Sequence, residues 1–205
     1  MTEEEARAWL AARWPQAACA RLELYVDLLL AENGRQNLIA RASEAVVWGR
    51  HIVDSAQLLT HAPDAASWLD IGSGPGLPGL VLAILADQPM TLVEPRARRV
   101  TFLRDATEML GLGHVSVHQM TVEKLVPGPH RAITARAYAP LPQIFASAAH
   151  VADLSTVWIL PKGRSAQSEL EAARAAWQGV FHVKQSVTDD QAQIVVATQV
   201  RRTAR

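Results

Sequence analysis

The sequence predicts an α/β fold, a mostly parallel seven-stranded sheet with an antiparallel C-terminal pair, preceded by a short helical N-terminal extension. Three observations carry this. From residue 66 onward, short apolar runs alternate with stretches of helical periodicity, the pattern of βαβ units around a parallel sheet. A loop rich in Gly and Pro, residues 70–79, follows the first apolar run and opens a helix. Residues 1–65 show helical periodicity and no strand pattern. The division expected is an extension over 1–65 and a second domain over 66–205.

In the extension, a helix from Glu3 is stopped by Pro15. A second runs from about Ala17 to Glu32, with Leu22, Tyr25, Val26, Leu29 and Leu30 on one face. Asn33-Gly34 is expected to end it, Gly supplying the left-handed cap. Ser43 is expected to cap a third helix reaching Thr60. Strands then follow at Ser67–Ile71, Thr91–Val93, Val115–His118, Ala132–Ala135 and Thr156–Leu160. Helices are expected over Pro78–Ala86, Arg96–Leu110, Pro142–Val151 and Ala166–Trp177. Val180–Ser186 and Gln193–Val200 face each other across Thr188-Asp189-Asp190 as the antiparallel pair. Ligands of such a sheet bind beyond the carboxyl ends of its strands. The loops after Ile71, Val93, Met120, Ala135 and Leu160 are therefore the ones expected to carry function.

The 205 residues include 20 Lys+Arg and 20 Asp+Glu, so the formal net charge is zero. Hydrophobic residues make up 49%, enough for a packed core and against intrinsic disorder. One cysteine, Cys19, excludes an internal disulfide and a cysteine-based zinc cluster. No metal is expected: His114 and His118 fall on a strand, where four residues span ~13 Å. The start lacks the basic end and apolar run of a signal peptide, and the longest apolar stretch, Leu80–Ala86, is too short to span a bilayer. A cytoplasmic, membrane-free protein is the expectation. Zero net charge argues at first against a nucleic-acid partner.

The loop Asp70-Ile-Gly72-Ser-Gly74-Pro-Gly76-Leu77-Pro-Gly79 admits three readings. A P-loop needs Lys-Ser/Thr after its last glycine, and Leu80 stands there instead. A dinucleotide fingerprint is present as Gly74-x-Gly76-x-x-Gly79. However, Pro75 and Pro78 remove N–H groups that a pyrophosphate would use, and Asp70 puts an acid where the anion would sit. S-adenosylmethionine (SAM) carries an ammonium and a sulfonium and no phosphate, so Asp70 is favourable to it. Glu94 ends the next strand, where a carboxylate accepts ribose hydroxyls; a nicotinamide site also uses an acid there. Asp70, the glycines and Glu94 together favour SAM over a nicotinamide-dependent oxidoreductase.

The glycine loop resembles that of the ribosomal small-subunit methyltransferase G family, also called glucose-inhibited division protein B. The similarity continues in Asn37-Leu38, His51-Ile-Val-Asp54-Ser55, Arg99-Val-Thr-Phe102-Leu103, Arg136-Ala137 and Leu160-Pro-Lys162-Gly163, in the family's order. It departs at Glu32 and Gln36, where the family often has aromatic residues, and at Ile39, where it has Thr. The resemblance implies a class I SAM-dependent methyltransferase fold, Rossmann-like. It also implies SAM as methyl donor and nitrogen-7 of a guanosine near the decoding centre of 16S ribosomal RNA as target. The partner implied is that RNA or the small ribosomal subunit; a monomer is the expectation. A methyltransferase of a small molecule or protein is the alternative.

On this resemblance Gly72, Leu77, Val122, Glu123 and Arg136 touch the cofactor and Glu94 holds the ribose, beside Asp70, Gly74 and Gly76 of the loop. Asn37, His51 and Asp54 become substrate-side candidates. So do Arg96 and Arg99, whose helix is locally basic, and Lys162 and Arg164 after the fifth strand. Guanine nitrogen-7 has an in-plane lone pair and no proton, so no general base is expected. Arg136 is expected to position, and guanine oxygen-6 is the acceptor left for a donor, since a donor on nitrogen-7 would block attack. Residues 1–63 hold six basic and eight acidic groups, so the neutral total is a sum over unlike regions. It excludes a strong nonspecific polyanion binder and permits an enzyme gripping one RNA site locally. Arg201, Arg202 and Arg205 are expected to fray.

Overall fold

The computed structural model describes residues 1–203. Its strands are β1 (Trp68–Ile71), β2 (Met90–Val93), β3 (Val115–His118), β4 (Ala132–Thr134), β5 (Val157–Pro161), β6 (Trp177–Gln185) and β7 (Gln193–Arg202). They form one sheet in the order β3-β2-β1-β4-β5-β7-β6. The first five are parallel; β7 joins β5 and β6 antiparallel. The chain runs outward from β1 through β2 to β3, then returns to place β4 on β1's other side. That reversal leaves a crevice beyond the carboxyl ends of β1 and β4, the place where an α/β sheet takes its ligand.

Both faces of the sheet are covered, which is why β1 is buried at all four positions. One face meets α2 (Gln16–Gln36) and α4 (Gly79–Leu85) through Leu22, Tyr25, Leu29, Leu80, Val81 and Leu92. α5 (Ala97–Met109) adds Phe102, Leu103 and Ala106 to the same cluster. The other face meets α6 (Leu141–Ala148) and α7 (Ala166–Arg174) through Leu141, Phe145, Leu170 and the two indoles Trp158 and Trp177. The helices of the extension thus share a core with the sheet. The change of pattern at residue 65 marks a change of element type; packing is continuous across it.

Three local features differ from the sequence expectation. α2 does not stop at Asn33-Gly34; it continues to Gln36 and ends on Asn37, which takes the left-handed conformation at φ 51°. Asn33 is buried, its amide oxygen accepting from Ile39 N at 2.8 Å and its amide nitrogen donating to Glu44 at 2.5 Å. A side chain so satisfied inside the fold no longer needs to terminate the helix. Ser43 is not a helix cap: it lies within a 3₁₀ turn, Arg41–Val46. The third helix is a broken run that continues as a π turn (Trp48–Val53), a short α3 (Asp54–Ala56) and a 3₁₀ turn (Gln57–His61). The cause is competition for its amides. Glu3, in α1 (Glu3–Ala11), accepts from Trp48 N and Gly49 N at 3.0 Å each. Those two N–H groups would otherwise continue the helical ladder.

No helix among the described residues is long and apolar enough to cross a membrane. Arg201 and Arg202 do not fray; they lie in β7, and the Arg202 guanidinium stacks on Trp177 at 5.3 Å. Arg205 lies outside the described residues.

Candidate functional site

The loop after β1 is held from three sides. Tyr25 O–H, on α2, donates to Pro75 O at 2.9 Å. Asp70 Oδ2 accepts from Gly79 N at 3.1 Å, fastening the end of β1 to the first turn of α4. Glu94, at the end of β2, accepts from Gly74 N and from Arg96 N, each at 2.9 Å. Packing fixes the rest. A Cβ on Gly79 would stand 2.4 Å from Leu92 and 2.6 Å from Asp70, and one on Gly76 would stand 2.5 Å from Leu80. Gly76 is therefore required by the helix behind the loop rather than by a ligand in front of it. Gly74 differs. A Cβ there would meet nothing closer than Arg99 at 3.7 Å, because its open side faces a cavity.

That cavity measures about 350 Å³ and is walled by Gly72, Ser73, Gly74, Pro75 and Leu77 of the loop, with Leu38, Ile39, His51, Arg96, Arg99, Arg136 and Ala137. A second cavity of about 470 Å³ lies beside it, lined by Arg50, Asp54, Tyr138, Lys162, Glu169, Ser186 and Gln193 among others. Arg136 and Ala137 belong to both. The loop after β4 thus forms the partition between two spaces.

Arg136 is set by the helical extension. Its Nη2 donates to His51 Nδ1 at 2.6 Å, and its Nη1 lies 3.4 Å from Asp54 Oδ2. The first bond decides the histidine tautomer. With Nδ1 accepting, the ring proton is on Nε2, which donates to Ser43 Oγ at 2.8 Å, and Ser43 donates on to Ala40 O at 2.7 Å. Burial, with Arg136 and Arg50 nearby, pushes His51 down to about 3. The ring is neutral, as an acceptor from guanidinium must be. Burial works against the charge of Arg136 and Asp54 works for it. Arg136 Nη1 makes no hydrogen bond, although it is buried. The Asp54 contact is an ion pair without hydrogen-bond alignment.

The expected residues divide accordingly. Gly72, Gly74, Leu77, His51, Arg96, Arg99 and Arg136 meet around the first cavity. Asp70 does not face it. Its carboxyl is fully buried under the loop, with Oδ1 unpartnered, and burial pushes it up to about 7. It closes the loop onto α4 instead of presenting charge to a ligand. Glu94 is nearly buried, with the Arg99 guanidinium 3.8 Å away over it. Val122 and Glu123 do not line this cavity. The Tyr138 ring lies so close to Gly72 that a Cβ there would be 2.6 Å from it.

His51 and Asp54 turn inward to Arg136 rather than outward to a substrate. Asn37 is the exposed cap of α2. Lys162 was expected to grip a phosphate or base. Its Nζ is committed to Ala139 O and to Glu169 Oε2, the latter at 3.0 Å. Glu169 also accepts from Leu141 N at 3.0 Å, so this pair braces the loop that carries Arg136. Arg164 is not brought to either cavity. Sequence reasoning missed Tyr25, Gln57, Glu169, Ser186 and Thr188. A hydrophobic stripe and ordinary turn chemistry hid Tyr25 and the two hydroxyls; only their long-range bonds give them a role.

A family model described as rRNA small subunit methyltransferase G matches residues 18–195. The chain belongs to this family. A protein of that name from Rhizorhabdus wittichii is 48% identical over 205 residues, covering 98% of this chain and 94% of that one. One from Novosphingobium aromaticivorans is 48% identical over 202 residues, with 96% and 88% covered. Among solved structures, the glycopeptide N-methyltransferase MtfA complexed with SAM has a TM-score of 0.59 at 10% identity, covering 73% of this chain and 94% of that one. A mutant of MtNAS in complex with SAM has a TM-score of 0.60 at 16% identity, with 87% and 74% covered. These likenesses establish the class I methyltransferase fold for the family member described here.

Proposed function

We propose that this chain transfers a methyl group from SAM to nitrogen-7 of a guanosine near the decoding centre of 16S ribosomal RNA. Membership of the family and the fold support methyl transfer. The observation that carries the reading is Arg136, whose guanidinium stands in the wall between two cavities, its Nη1 ion-paired with Asp54 at 3.4 Å but making no hydrogen bond. A donor there suits guanine oxygen-6, which accepts and sits beside nitrogen-7.

The first cavity fits SAM in its chemistry. The open face of Gly74 leaves room for a ligand against the backbone. Gly72, Leu77 and Arg136 would border the cofactor, and Glu94 would receive the ribose hydroxyls once Arg99 moves off it. Val122 and Glu123 do not line this cavity. SAM, when bound, supplies a methyl group activated on a sulfonium. The protein's part is alignment. Nitrogen-7 needs no proton removed, so no side chain is required as a base, and holding the two reactants in line is the main source of rate. Arg136 orients the base through oxygen-6 and leaves nitrogen-7 free. Arg96 and Arg50, both exposed at the cavity mouths, would meet RNA phosphates. The partner is then the small ribosomal subunit or its RNA, met by a cytoplasmic monomer.

The test is transfer of labelled methyl from SAM to small-subunit particles from cells lacking this protein, followed by mass mapping of the RNA. One 7-methylguanosine per RNA is expected. Arg136→Ala should reduce transfer by ~10²-fold, the usual cost of losing one oriented donor. Label in protein and none in RNA would overturn the assignment of substrate.

A further inference from the structure

The turn after β6 carries a polar cluster aimed at Asp54. Asp54 Oδ1 lies within hydrogen-bond reach of Gln57 Nε2 at 3.1 Å, Thr188 Oγ1 at 3.3 Å and Ser186 Oγ at 3.4 Å. All three are neutral groups; because the two hydroxyls also bond each other at 2.9 Å, one hydroxyl proton reaches Asp54 beside the Gln57 amide. Asp54 Oδ2 faces the Arg136 guanidinium at 3.4 Å. The carboxylate is thus divided, one oxygen anchored to the protein and the other turned to the cation.

The anchors are themselves fixed. Gln57 and Ser186 are buried. Gln57 Nε2 also donates to Ser186 Oγ at 2.9 Å, and Gln57 Oε1 accepts from Val187 N at 2.9 Å. Ser186 and Thr188 share a hydroxyl bond at 2.9 Å. Ser186 N donates to Ala192 O at 2.9 Å, which closes the turn on itself. A loop 132 residues away in sequence from Asp54 is in this way built into the setting of Arg136.

We propose that Gln57, Ser186 and Thr188 are positioning residues for methyl transfer. They fix Asp54, and Asp54 fixes the Arg136 guanidinium at the partition between the two cavities. The inference rests on the proposed reaction. It follows from geometry: a carboxylate free to rotate would take Arg136 with it, and a donor misplaced by ~1 Å is enough to lower rate substantially.

The experiment is a double-mutant cycle on methyl transfer to small-subunit particles, with Ser186→Ala and Thr188→Val placed in wild-type and Arg136→Lys backgrounds. In the wild-type background each should lower kcat about tenfold and leave KM for the particle within about twofold. In the Arg136→Lys background each should change kcat by less than about twofold, because residues acting through one group are not additive. Ser186→Thr, which keeps the hydroxyl, should restore most of the rate. Calorimetry should show S-adenosylhomocysteine binding unchanged in the Thr188→Val protein. Equal losses in both backgrounds, or no loss in either, would overturn the inference. Thr188→Val removes one hydroxyl at nearly constant shape, so it remains informative should Ser186→Ala not fold. Failure of the wild-type protein to methylate RNA would instead overturn the proposed function.

Discussion

Arg136 donates to His51 across 2.6 Å, although 85 residues separate them. The bond joins the loop after β4 to the helical extension, and it requires His51 to stay unprotonated. The protein achieves this by burial and by neighbouring cations, which push His51 down to about 3. An unfolded histidine titrates near ~6.5. The folded state therefore binds this proton less tightly than the unfolded chain. The stabilisation is complete above pH ~6.5 and is lost as the pH falls toward 3. His51→Asn keeps an acceptor for Arg136 and removes the titration. Denaturant melts of wild type and variant between pH 4 and 7 should show a slope shallower in the variant by up to ~1.4 kcal/mol per pH unit. Parallel slopes would show that His51 titrates normally.

Asp70 has the opposite sign. Burial pushes its carboxyl up to about 7, so the folded protein holds this proton more tightly than the unfolded chain does. That contribution is full below pH ~4 and disappears as the pH rises to about 7. Asp70→Asn cannot ionise. Its stability relative to wild type should improve steadily across that window and level off above it, read as unfolding midpoints at matched pH. A constant difference would place the Asp70 pKa in the ordinary carboxylate range.

Tyr25 ties α2 to the glycine loop through Pro75 O. Tyr25→Phe keeps the ring and leaves a buried carbonyl without its donor. Loss of ~1–3 kcal/mol of stability is expected. SAM affinity should fall as well, because Pro75 lines the first cavity. Calorimetry with SAM and a denaturant melt read the two effects separately. Unchanged affinity with lowered stability would limit Tyr25 to folding.

Two glycines of the loop should respond differently. At Gly79 an added Cβ would meet Leu92 and Asp70 inside 3 Å, so Gly79→Ala should compromise folding itself, seen as a lowered unfolding midpoint. At Gly74 the space in front is open. Gly74→Asp should lose SAM binding, because its side chain enters the cavity, where the carboxylate would meet Arg99; at φ 57° the new side chain also strains the backbone, so a modestly lowered unfolding midpoint is expected beside it. Binding retained by Gly74→Asp would move the cofactor away from this loop.

The succession of strands and helices and the loop after the first strand follow from patterns that are local in sequence. Alternation of apolar runs with helical stretches fixes the βαβ layout, because each element must bury one face against its neighbour. The Gly and Pro residues of 70–79 mark the turn, because few side chains fit where the loop meets Leu80, Leu92 and Asp70. The family resemblance, too, was legible in short motifs, and Arg136 was among them. What those motifs could not tell was direction. His51, Asp54 and Lys162 all look like groups for a substrate, yet each turns inward. His51 and Asp54 hold Arg136, and Lys162 is held by Glu169. Asp70 looks like a charge for a ligand and is sealed beneath the loop. Gln57, Ser186 and Thr188 carry no signal at all until the turn between β6 and β7 is brought against α3. Sequence by itself determined which elements form and which loop they expose. Only the tertiary structure decided which polar groups spend their hydrogen bonds on one another, since buried donors and acceptors must be paired, and His51 finds Arg136 85 residues away while Asp54 finds Thr188 134 residues away.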